Sequence, residues 1–400
     1  MHSGGKLVNL QSYRDTWAEV SLCAIKDNTN QFKKYIGASV NLMAVVKADG
    51  YGHGAVPAAS AAVEAGANYL AVAILDEAIE LREAEIIEPI LVLGYTPIRS
   101  IRQAIIAGVD LTVFSDDVLD EIIFQSEVLQ KMVSIHLKID TGMTRIGVQT
   151  REEALHLASK ALTSPFVTLK GIFTHFANAD SEDSSFTLQQ FERFRGVISF
   201  LDSNGISIPL KHCCNTAGTM NFPEMHLDMV RIGIGLYGLY PDASLKEHPI
   251  SLKQAMTLKT KIAALKMVPK SQPISYGCTY TPSVERLIAS LPIGYADGLS
   301  RSLSNCGQFL LQGQKVLVAG RVCMDQTMID VTSIPSCKEG DEVIIFGGNN
   351  EVFQSVDEIA LLMGTINYEV VCLIGKRVPR IYTVLGNEIH IQVLQSIDYR

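Results

Sequence analysis

The sequence lacks several features that would assign it to a particular class. It has no apolar run long enough to span a bilayer, and its beginning lacks the apolar core of a secretory signal. Its eight cysteines are scattered without a Cys-x-x-Cys pair, which disfavours a disulfide framework or a zinc site. The net charge of −8 argues against a general nucleic-acid binder. We therefore expect a cytoplasmic protein with reduced thiols, no bound metal, and no nucleic-acid or membrane partner.

The size and composition allow two globular domains. The chain has 400 residues, of which 47% are hydrophobic and 19% charged, as expected for a protein with a sizeable core.

Between about residues 40 and 240, short apolar runs alternate with amphipathic stretches. The runs predict eight strands: Leu42–Val46, Tyr69–Ile74, Pro89–Leu93, Leu111–Phe114, Ser134–Ile139, Leu169–Thr174, Leu210–Cys214 and Met229–Ile234. Four of the intervening stretches predict helices: Asp76–Ala84, Asp116–Leu129, Arg151–Leu162 and Phe186–Leu201. The alternation indicates a parallel (β/α)8 barrel over residues 12–241, with a doubly wound open sheet as the alternative.

After Pro241 the pattern changes to short β-rich runs separated by turn signals. These runs are Leu287–Leu291, Gln314–Ala319, Thr327–Val331, Glu342–Phe346, Arg380–Val384 and Ile389–Leu394, with one helical stretch at Asp357–Met363. They predict a mostly antiparallel β-domain over residues 242–400. A further strand-like piece, Trp17–Leu22, could pair with either domain.

The stretch AVVKADGYGHG, residues 44–54, places one lysine at the end of a predicted core strand. Burying a charged lysine is costly, so Lys47 either reaches solvent or has a depressed pKa. An amine with a depressed pKa can form a Schiff base. Tyr51 lies among glycines, which allow backbone to approach a ligand closely. These neighbours favour a chemical role for Lys47.

Polar groups also follow four other predicted strands, at the barrel end where active sites of this fold lie. Each has an ordinary structural reading: a lone histidine can be a satisfied core residue, an arginine an ion-pair partner, and Asn215 or Thr216 a helix cap. Together they predict a pocket, with a phosphate site after strands seven and eight. The residues are Lys138, Arg145, His175, His212, Asn215, Thr216, Arg231, Gly233 and Ile234.

Several separate motifs resemble those of the alanine racemase family. In the predicted barrel they are VVKADGYGHG, KIDTGMTRIG, THFANAD, HCCNTAG and RIGIGLYG, and in the β-domain ISYGCTY, IGYADG, GRVCMDQ and INYE. The resemblance extends from about Arg14 to the last strand. It implies an enzyme dependent on pyridoxal 5'-phosphate (PLP) that interconverts L- and D-alanine, supplying D-alanine for bacterial peptidoglycan.

The resemblance also implies roles for the barrel residues. Lys47 carries the cofactor and Tyr51 contacts its phosphate. Arg145 contacts the cofactor's phenolic oxygen and the substrate carboxylate, and is oriented by Lys138, which is often carbamylated in the family. His175 lies near the cofactor ring and the catalytic tyrosine, and His212 bonds Arg231. The ring and phosphate binders are Asn215, Thr216, Arg231, Gly233 and Ile234. Thr216 replaces the usual serine but keeps the hydroxyl.

In the β-domain the resemblance implies that Tyr276 is the second catalytic base. Tyr276, Met324 and the entrance-lining Tyr295 come from the partner subunit, so the expected assembly is a homodimer with composite active sites. Met324 contacts the substrate, Asp325 supports the site, and Tyr368 contacts the phosphate and the entrance.

Racemisation chemistry agrees with these residues, because two acid–base groups on opposite faces can remove and return the α-proton. Lys47 can serve one face and Tyr276 the other, with His175 orienting the tyrosine. Arg231 facing the pyridine nitrogen disfavours its protonation, which limits transamination. A PLP decarboxylase would place an acidic residue there, and a barrel-only PLP carrier would lack the β-domain. A serine or broad-specificity racemase of the same fold stays open.

Overall fold

The computed structural model describes residues 12–348, 351–384 and, for the backbone alone, 387–392. The chain divides into two compact units. One is a barrel unit of residues 25–253, and the other, the β-unit, contains the described residues up to 24 and those from 254 onward.

The barrel unit is built on an eight-stranded parallel sheet whose order follows the chain. The last strand pairs with the first, and backbone hydrogen bonds from Asp228 to Lys211 (3.1 Å) and from Arg231 to Cys214 (3.0 Å) join the seventh and eighth strands. The sheet therefore closes, which confirms the predicted barrel over the open sheet. The strands are Asn41–Val45, Tyr69–Val72, Ile90–Val92, Asp110–Val113, Val133–Lys138, Val167–Phe173, Leu210–His212 and Met229–Ile232.

The helices between these strands match the four predicted ones to within two residues. The sequence prediction missed others, such as Ala55–Glu64, because its sequence AVPAASAAVE has almost no polar face to show the helical period. The α-helices are Leu22–Ile36, Ala55–Glu64, Leu75–Glu83, Ile101–Ala107, Asp116–Leu129, Arg151–Ala161, Ser185–Ser203 and Thr216–Asn221, and a short left-handed turn at Lys47–Tyr51 is described below.

The β-unit is a mostly antiparallel sheet, as predicted. Its strands are Thr16–Ser21, Met256–Lys261, Ala264–Val268, Arg286–Leu291, Gln308–Leu311, Gln314–Val318, Thr327–Asp330, Glu342–Gly348, Phe353–Gln354, Arg380–Val384 and Asn387–Gln392. Two helices, Val356–Met363 and Asn367–Cys372, accompany it. The last two residues of the predicted strand Ile389–Leu394 lie outside the described residues.

The N-terminal strand Thr16–Ser21 belongs to the β-unit. It pairs antiparallel with Met256–Lys261 and parallel with Arg380–Val384. These ladders explain why residues 12–24 group with the β-unit and not with the barrel, where the predicted boundary of 12–241 put them. Residues 242–253, predicted as part of the β-domain of 242–400, group with the barrel.

All eight cysteines are present as thiols, outside any disulfide. Among the described residues, no helix has the length and apolar character needed to cross a membrane. In that same part of the chain, no three His, Cys, Asp or Glu side chains cluster in a way that could hold a metal ion.

Candidate active site

Lys47 begins an unusual turn directly after the first barrel strand. The next four residues all have positive φ: Ala48 (52°), Asp49 (53°), Gly50 (61°) and Tyr51 (53°). They form one turn of left-handed helix, which costs about 1–2 kcal/mol for each non-glycine residue. Such strain persists only where surrounding contacts enforce it, and it is concentrated at functional sites.

Side chains from neighbouring elements hold this left-handed turn. Glu77 accepts hydrogen bonds from the backbone N–H of Ala48 (2.6 Å) and of Ala73 (2.7 Å), and so ties the turn to the next strand end. The Asp49 carboxylate accepts from the N–H of Ala55 (3.0 Å). Sequence reasoning missed Glu77, since its helical position gives no sign that it contacts a loop 29 residues earlier.

Tyr51 approaches the loop after the eighth strand. A Cβ at Gly233 would lie 2.5 Å from the Tyr51 hydroxyl, so only glycine permits this approach. The Gly233 N–H donates to the Thr216 hydroxyl (3.1 Å). The predicted phosphate-binding residues Tyr51, Thr216 and Gly233 are thus brought together from three separate loops, with Ile234 directly after the glycine.

Asn215 is the N-cap of the helix Thr216–Asn221. Its side-chain oxygen accepts a hydrogen bond from the N–H of Gly218 (2.8 Å). This oxygen therefore acts as a helix cap. A contact between Asn215 and a cofactor ring stays a prediction.

Arg231 lies buried at the centre of the barrel cluster. Its guanidinium donates to the carbonyls of Thr174 (2.8 Å), Cys213 (3.0 Å) and His212 (3.1 Å). It also donates from Nη1 to His212 Nδ1 (3.0 Å), which is the bond that the family resemblance implies. Burial lowers the pKa of Arg231 to about 10, so it remains a cation at neutral pH.

His175, half-buried, follows the sixth strand, and its Nδ1 accepts a hydrogen bond from Arg231 Nη2 (3.1 Å). Burial, followed by the positive charges of Arg231, Arg145, Lys138 and Lys47, holds the pKa of His175 well below its usual range. The ring is therefore neutral, with its proton on Nε2 because Nδ1 is an acceptor.

Lys138 is the last residue of the fifth strand and is almost completely buried. Burial and the nearby charge of Arg231 lower the pKa of Lys138 to about 7, although Asp140 opposes this shift. Its ammonium group donates to the Ile139 carbonyl (2.8 Å). Arg145 lies on an exposed loop, and its orientation by Lys138 stays a prediction.

The β-unit holds the other predicted residues, and three of them share a cleft of about 450 Å³. Tyr276, Met324 and Asp325 line it together with Ser275, Cys323 and Gln326. The side chains of Tyr276 and Met324 are 71% and 53% exposed, respectively. Tyr295 lies on a separate 3-10 turn and is also exposed, and Tyr368 is half-buried on the helix Asn367–Cys372.

A buried carboxylate fixes the loops that present these exposed residues. Asp297 accepts from Arg14 (2.6 Å) and Arg377 (2.7 Å), and also from the N–H of Gly294 (3.0 Å). Arg377 in turn donates to Asp325 (2.5 Å). The turn that carries Tyr295 and the loop that carries Asp325 are therefore linked, which sequence reasoning did not foresee.

Comparison with known proteins identifies both parts of the chain. The alanine racemase N-terminal domain matches residues 20–241, and the alanine racemase C-terminal domain matches residues 255–382. The chain belongs to the alanine racemase family.

Individual relatives in this family cover nearly the whole chain. Alanine racemase 2 of Oceanobacillus iheyensis is 55% identical over 371 residues, which are 93% of this chain and 94% of the relative. The alanine racemase of Bacillus anthracis, solved with bound L-Ala-P, has a TM-score of 0.92 at 40% identity, covering 96% and 98% of the two chains. The histidine racemase of Leuconostoc mesenteroides has a TM-score of 0.86 at 28% identity, covering 94% and 99%.

The protein is accordingly an isomerase that interconverts L- and D-alanine. The usual role of this enzyme is to supply D-alanine for the cell wall. The decarboxylase and the barrel-only carrier are thereby set aside.

Membership of the alanine racemase family implies PLP, and the barrel residues fit this cofactor. The close approach of Tyr51 to Gly233, beside the Thr216 hydroxyl, gathers hydrogen-bond donors suited to a phosphate. Lys47 would supply an amine for the cofactor aldehyde, and Arg231 would supply a buried cation for the ring nitrogen. The donor set therefore matches the three polar parts of PLP.

Proposed function

We propose that this enzyme racemises alanine with PLP held in the barrel, using Lys47 and Tyr276 as the bases on opposite faces of the substrate. The observation that carries the proposal is the barrel cluster, in which the buried Arg231 donates to ring nitrogens of His212 (3.0 Å) and His175 (3.1 Å). When bound, PLP delocalises the electron pair left after removal of the α-proton. A protein group on each face can then take or return that proton.

Each barrel residue has a distinct task in this proposal. Lys47 would hold the cofactor and exchange the α-proton of D-alanine. Arg231, a cation that cannot accept a hydrogen bond, would keep the ring nitrogen unprotonated and so limit transamination. Tyr51, Thr216, Gly233 and Ile234 would bind the phosphate, and Asn215 would contact the ring.

The second base is assigned to Tyr276, which would exchange the α-proton of L-alanine. His175 would orient it, since its Nε2–H is the donor left over once Nδ1 accepts from Arg231. Arg145 would bind the substrate carboxylate, oriented by Lys138. The low pKa of Lys138 supports its carbamylation, because carbon dioxide reacts with the neutral amine.

Exposure of the β-unit residues supports a homodimer with shared sites. Tyr276 and Met324 are largely exposed in a single chain, as expected for side chains that complete a site on a partner copy. Tyr295 and Tyr368 would narrow the entrance, and Asp325 would support Met324. We place the enzyme in the cytoplasm, which suits its eight free cysteines.

Reductive trapping tests the cofactor assignment directly. The protein is loaded with PLP, treated with borohydride and digested, and the labelled peptide is located by mass spectrometry. The label should lie on Lys47 and should disappear in Lys47→Ala, together with racemase activity. Lys211→Ala, a matched change at a partly exposed lysine of the seventh strand, should label and turn over like the parent. Label on another lysine, or full turnover by Lys47→Ala, would refute the proposal.

The range of amino acids that the enzyme accepts must be measured, because a protein of the same fold is a histidine racemase. We propose alanine as the preferred substrate, because bulky tyrosine and methionine side chains from the β-unit would restrict the space for the substrate side chain. Serine adds one hydroxyl, and a pocket of this kind rejects it by only about 100-fold or less. Comparison of kcat/KM for alanine, serine and histidine decides it: equal values for alanine and histidine would establish a broad-specificity racemase.

A further inference from the structure

A continuous line of buried polar side chains extends from Arg231 to the opposite end of the barrel. It contains His212, His136, Tyr69 and Asp110, none of them more than 8% exposed. Tyr69 and Asp110 are the first residues of their strands, whereas Lys47 follows a strand end, so the line reaches the end of the barrel remote from the proposed cofactor.

The contacts along this line are direct. His136 Nδ1 lies 3.0 Å from His212 Nε2, and His136 Nε2 lies 3.3 Å from the Tyr69 hydroxyl. The Tyr69 hydroxyl donates to the Asp110 carboxylate in a short hydrogen bond. Lys170 closes the far end, with its ammonium group 3.0 Å from the same carboxylate oxygen.

The chemistry of the two ends fixes the direction of every hydrogen bond. Arg231 can only donate, so His212 Nδ1 must accept. Burial, followed by the charge of Arg231, holds the pKa of His212 well below its usual range, so its ring is neutral and its proton lies on Nε2. His212 therefore donates to His136 Nδ1.

The same argument continues through the second histidine. Burial also lowers the pKa of His136, against the opposing effect of Asp110, so this ring is neutral as well. Because its Nδ1 accepts, its proton lies on Nε2, which faces the Tyr69 hydroxyl at 3.3 Å and the Asp110 carboxylate at 3.6 Å. The carboxylate of Asp110 is the final acceptor. Although burial opposes it, hydrogen bonds from His136 and Tyr69 and the charge of Lys170 lower the pKa of Asp110 overall.

The packing around His136 indicates that this line is a specific arrangement. Gly171 lies opposite His136 in the neighbouring strand, and a Cβ there would overlap the imidazole ring. The His212 ring stacks on Phe173, with centroids 4.9 Å apart and planes 2° from parallel. The two imidazole rings therefore have little freedom to flip, so the donor and acceptor of each hydrogen bond cannot readily exchange roles.

We infer that Asp110 is a positioning residue for Arg231, acting through a one-way hydrogen-bond chain of Tyr69, His136 and His212. A carboxylate behind a histidine strengthens the acceptor at the other ring nitrogen. Here two histidines pass this effect on to the guanidinium. The effect on turnover rests on the proposed role of Arg231 at the cofactor, whereas the proton arrangement does not.

The test uses 15N-histidine NMR of the full-length protein without cofactor, with signals assigned by single His→Gln variants. His136 and His212 should both be neutral with the proton on Nε2. Asp110→Asn should shift the Nε2–H signals of both rings, and Tyr69→Phe should do the same without removing the charge. Asp116→Asn, at an exposed carboxylate bonded to His156 (2.8 Å), is the matched control and should shift only His156.

Kinetics of the PLP-loaded enzyme then show whether the effect reaches the site. Asp110→Asn and Tyr69→Phe should each lower kcat on the order of 10-fold, the smaller end of such effects, with less change in KM. A proton on Nδ1 of either ring, or NMR signals unchanged in Asp110→Asn and Tyr69→Phe, would overturn the inference. It would also be overturned if these two variants shifted the signals but turned over substrate as fast as the Asp116→Asn control. If Asp110→Asn does not fold, Tyr69→Phe decides alone. Absence of racemisation in the parent protein would instead refute the proposed function and leave the NMR result standing.

Discussion

The barrel and the β-unit present their site residues in opposite ways. In the barrel, Arg231, His212 and Lys138 are buried, and their positions are set by direct contacts with backbone and with one another. In the β-unit, Tyr276 and Met324 project from loops and are mostly exposed. The first set is ordered within one chain. The loop of Met324 is held from behind through Asp297 and Arg377. Tyr276 follows Ser275, whose hydroxyl donates to the Arg321 carbonyl (2.7 Å).

The largest effect is expected from removing the proposed base of the β-unit, Tyr276. Tyr276→Phe keeps the ring but removes the titratable proton, so turnover should fall by about 10²–10⁴-fold while PLP still binds at Lys47. In heavy water, exchange into D-alanine through Lys47 should outlast exchange into L-alanine. Tyr280→Phe, four residues on, removes a hydroxyl that bonds Asp330 (2.9 Å) and should leave this ratio unchanged. Equal loss from both enantiomers would favour a single-base mechanism.

Subunit mixing tests whether the exposed half serves a partner. Lys47→Ala and Tyr276→Phe chains, each inactive alone, are unfolded and refolded together. Random pairing makes about half of the dimers heterodimers, and each heterodimer has one intact site out of its two. About a quarter of the parent activity should therefore return. Heterodimers that form, as seen by mass spectrometry, but remain inactive would show that each site is built from one chain.

Weakening the support behind the exposed residues should have a moderate effect. Asp297→Asn removes a buried carboxylate that holds two arginines, and should lower the free energy of unfolding by about 1–3 kcal/mol. Asp325→Asn removes only an exposed contact with Arg377 and should cost less than about 1 kcal/mol. Urea denaturation of both variants measures the difference, and equal losses would mean that Asp297 does not fix these loops.

The last effect concerns pH and the buried lysine of the barrel, and it is spread over several pH units. The pKa of Lys138 is about 7 in the folded protein against 10.5 for an ordinary lysine, so the unfolded chain binds more protons between these values. Stability should therefore rise with pH across this window, by up to about 1.4 kcal/mol per pH unit. In buffer free of carbon dioxide, Lys138→Met should lose this rise, whereas Lys211→Met should keep it. Parallel curves for the parent and Lys138→Met would contradict the burial of an unmodified amine.

The sequence predicted the barrel because its strands are buried on both faces and read as plain apolar runs. Residues at strand ends, such as Lys47 and His175, could be proposed as site residues because the fold places active sites there. Strand pairing between distant segments could not be predicted from the sequence. The strand Thr16–Ser21 is hydrogen-bonded to a strand more than 350 residues later. The strand Met256–Lys261 was missed because its alternate residues are polar and face outward.

The polar line through the barrel was hidden for a related reason. His136 sits between apolar neighbours in the fifth strand, and one sequence cannot show which buried histidines meet. The left-handed turn after Lys47 was also beyond prediction. Ala48 and Tyr51 have no local preference for positive φ, and Asp49 tolerates it only as a single residue, so the conformation of the whole turn comes from tertiary contacts.

That turn has a consequence for the order in which the protein assembles. A left-handed turn of mostly non-glycine residues does not form on its own, and here it depends on Glu77, which lies on the helix of the following β/α unit. During synthesis, Lys47 can acquire its native orientation only after that helix has emerged and docked. A nascent chain ending at Gly54 would carry the lysine without the turn, so the orientation of Lys47 has to wait for at least the second β/α unit of the barrel.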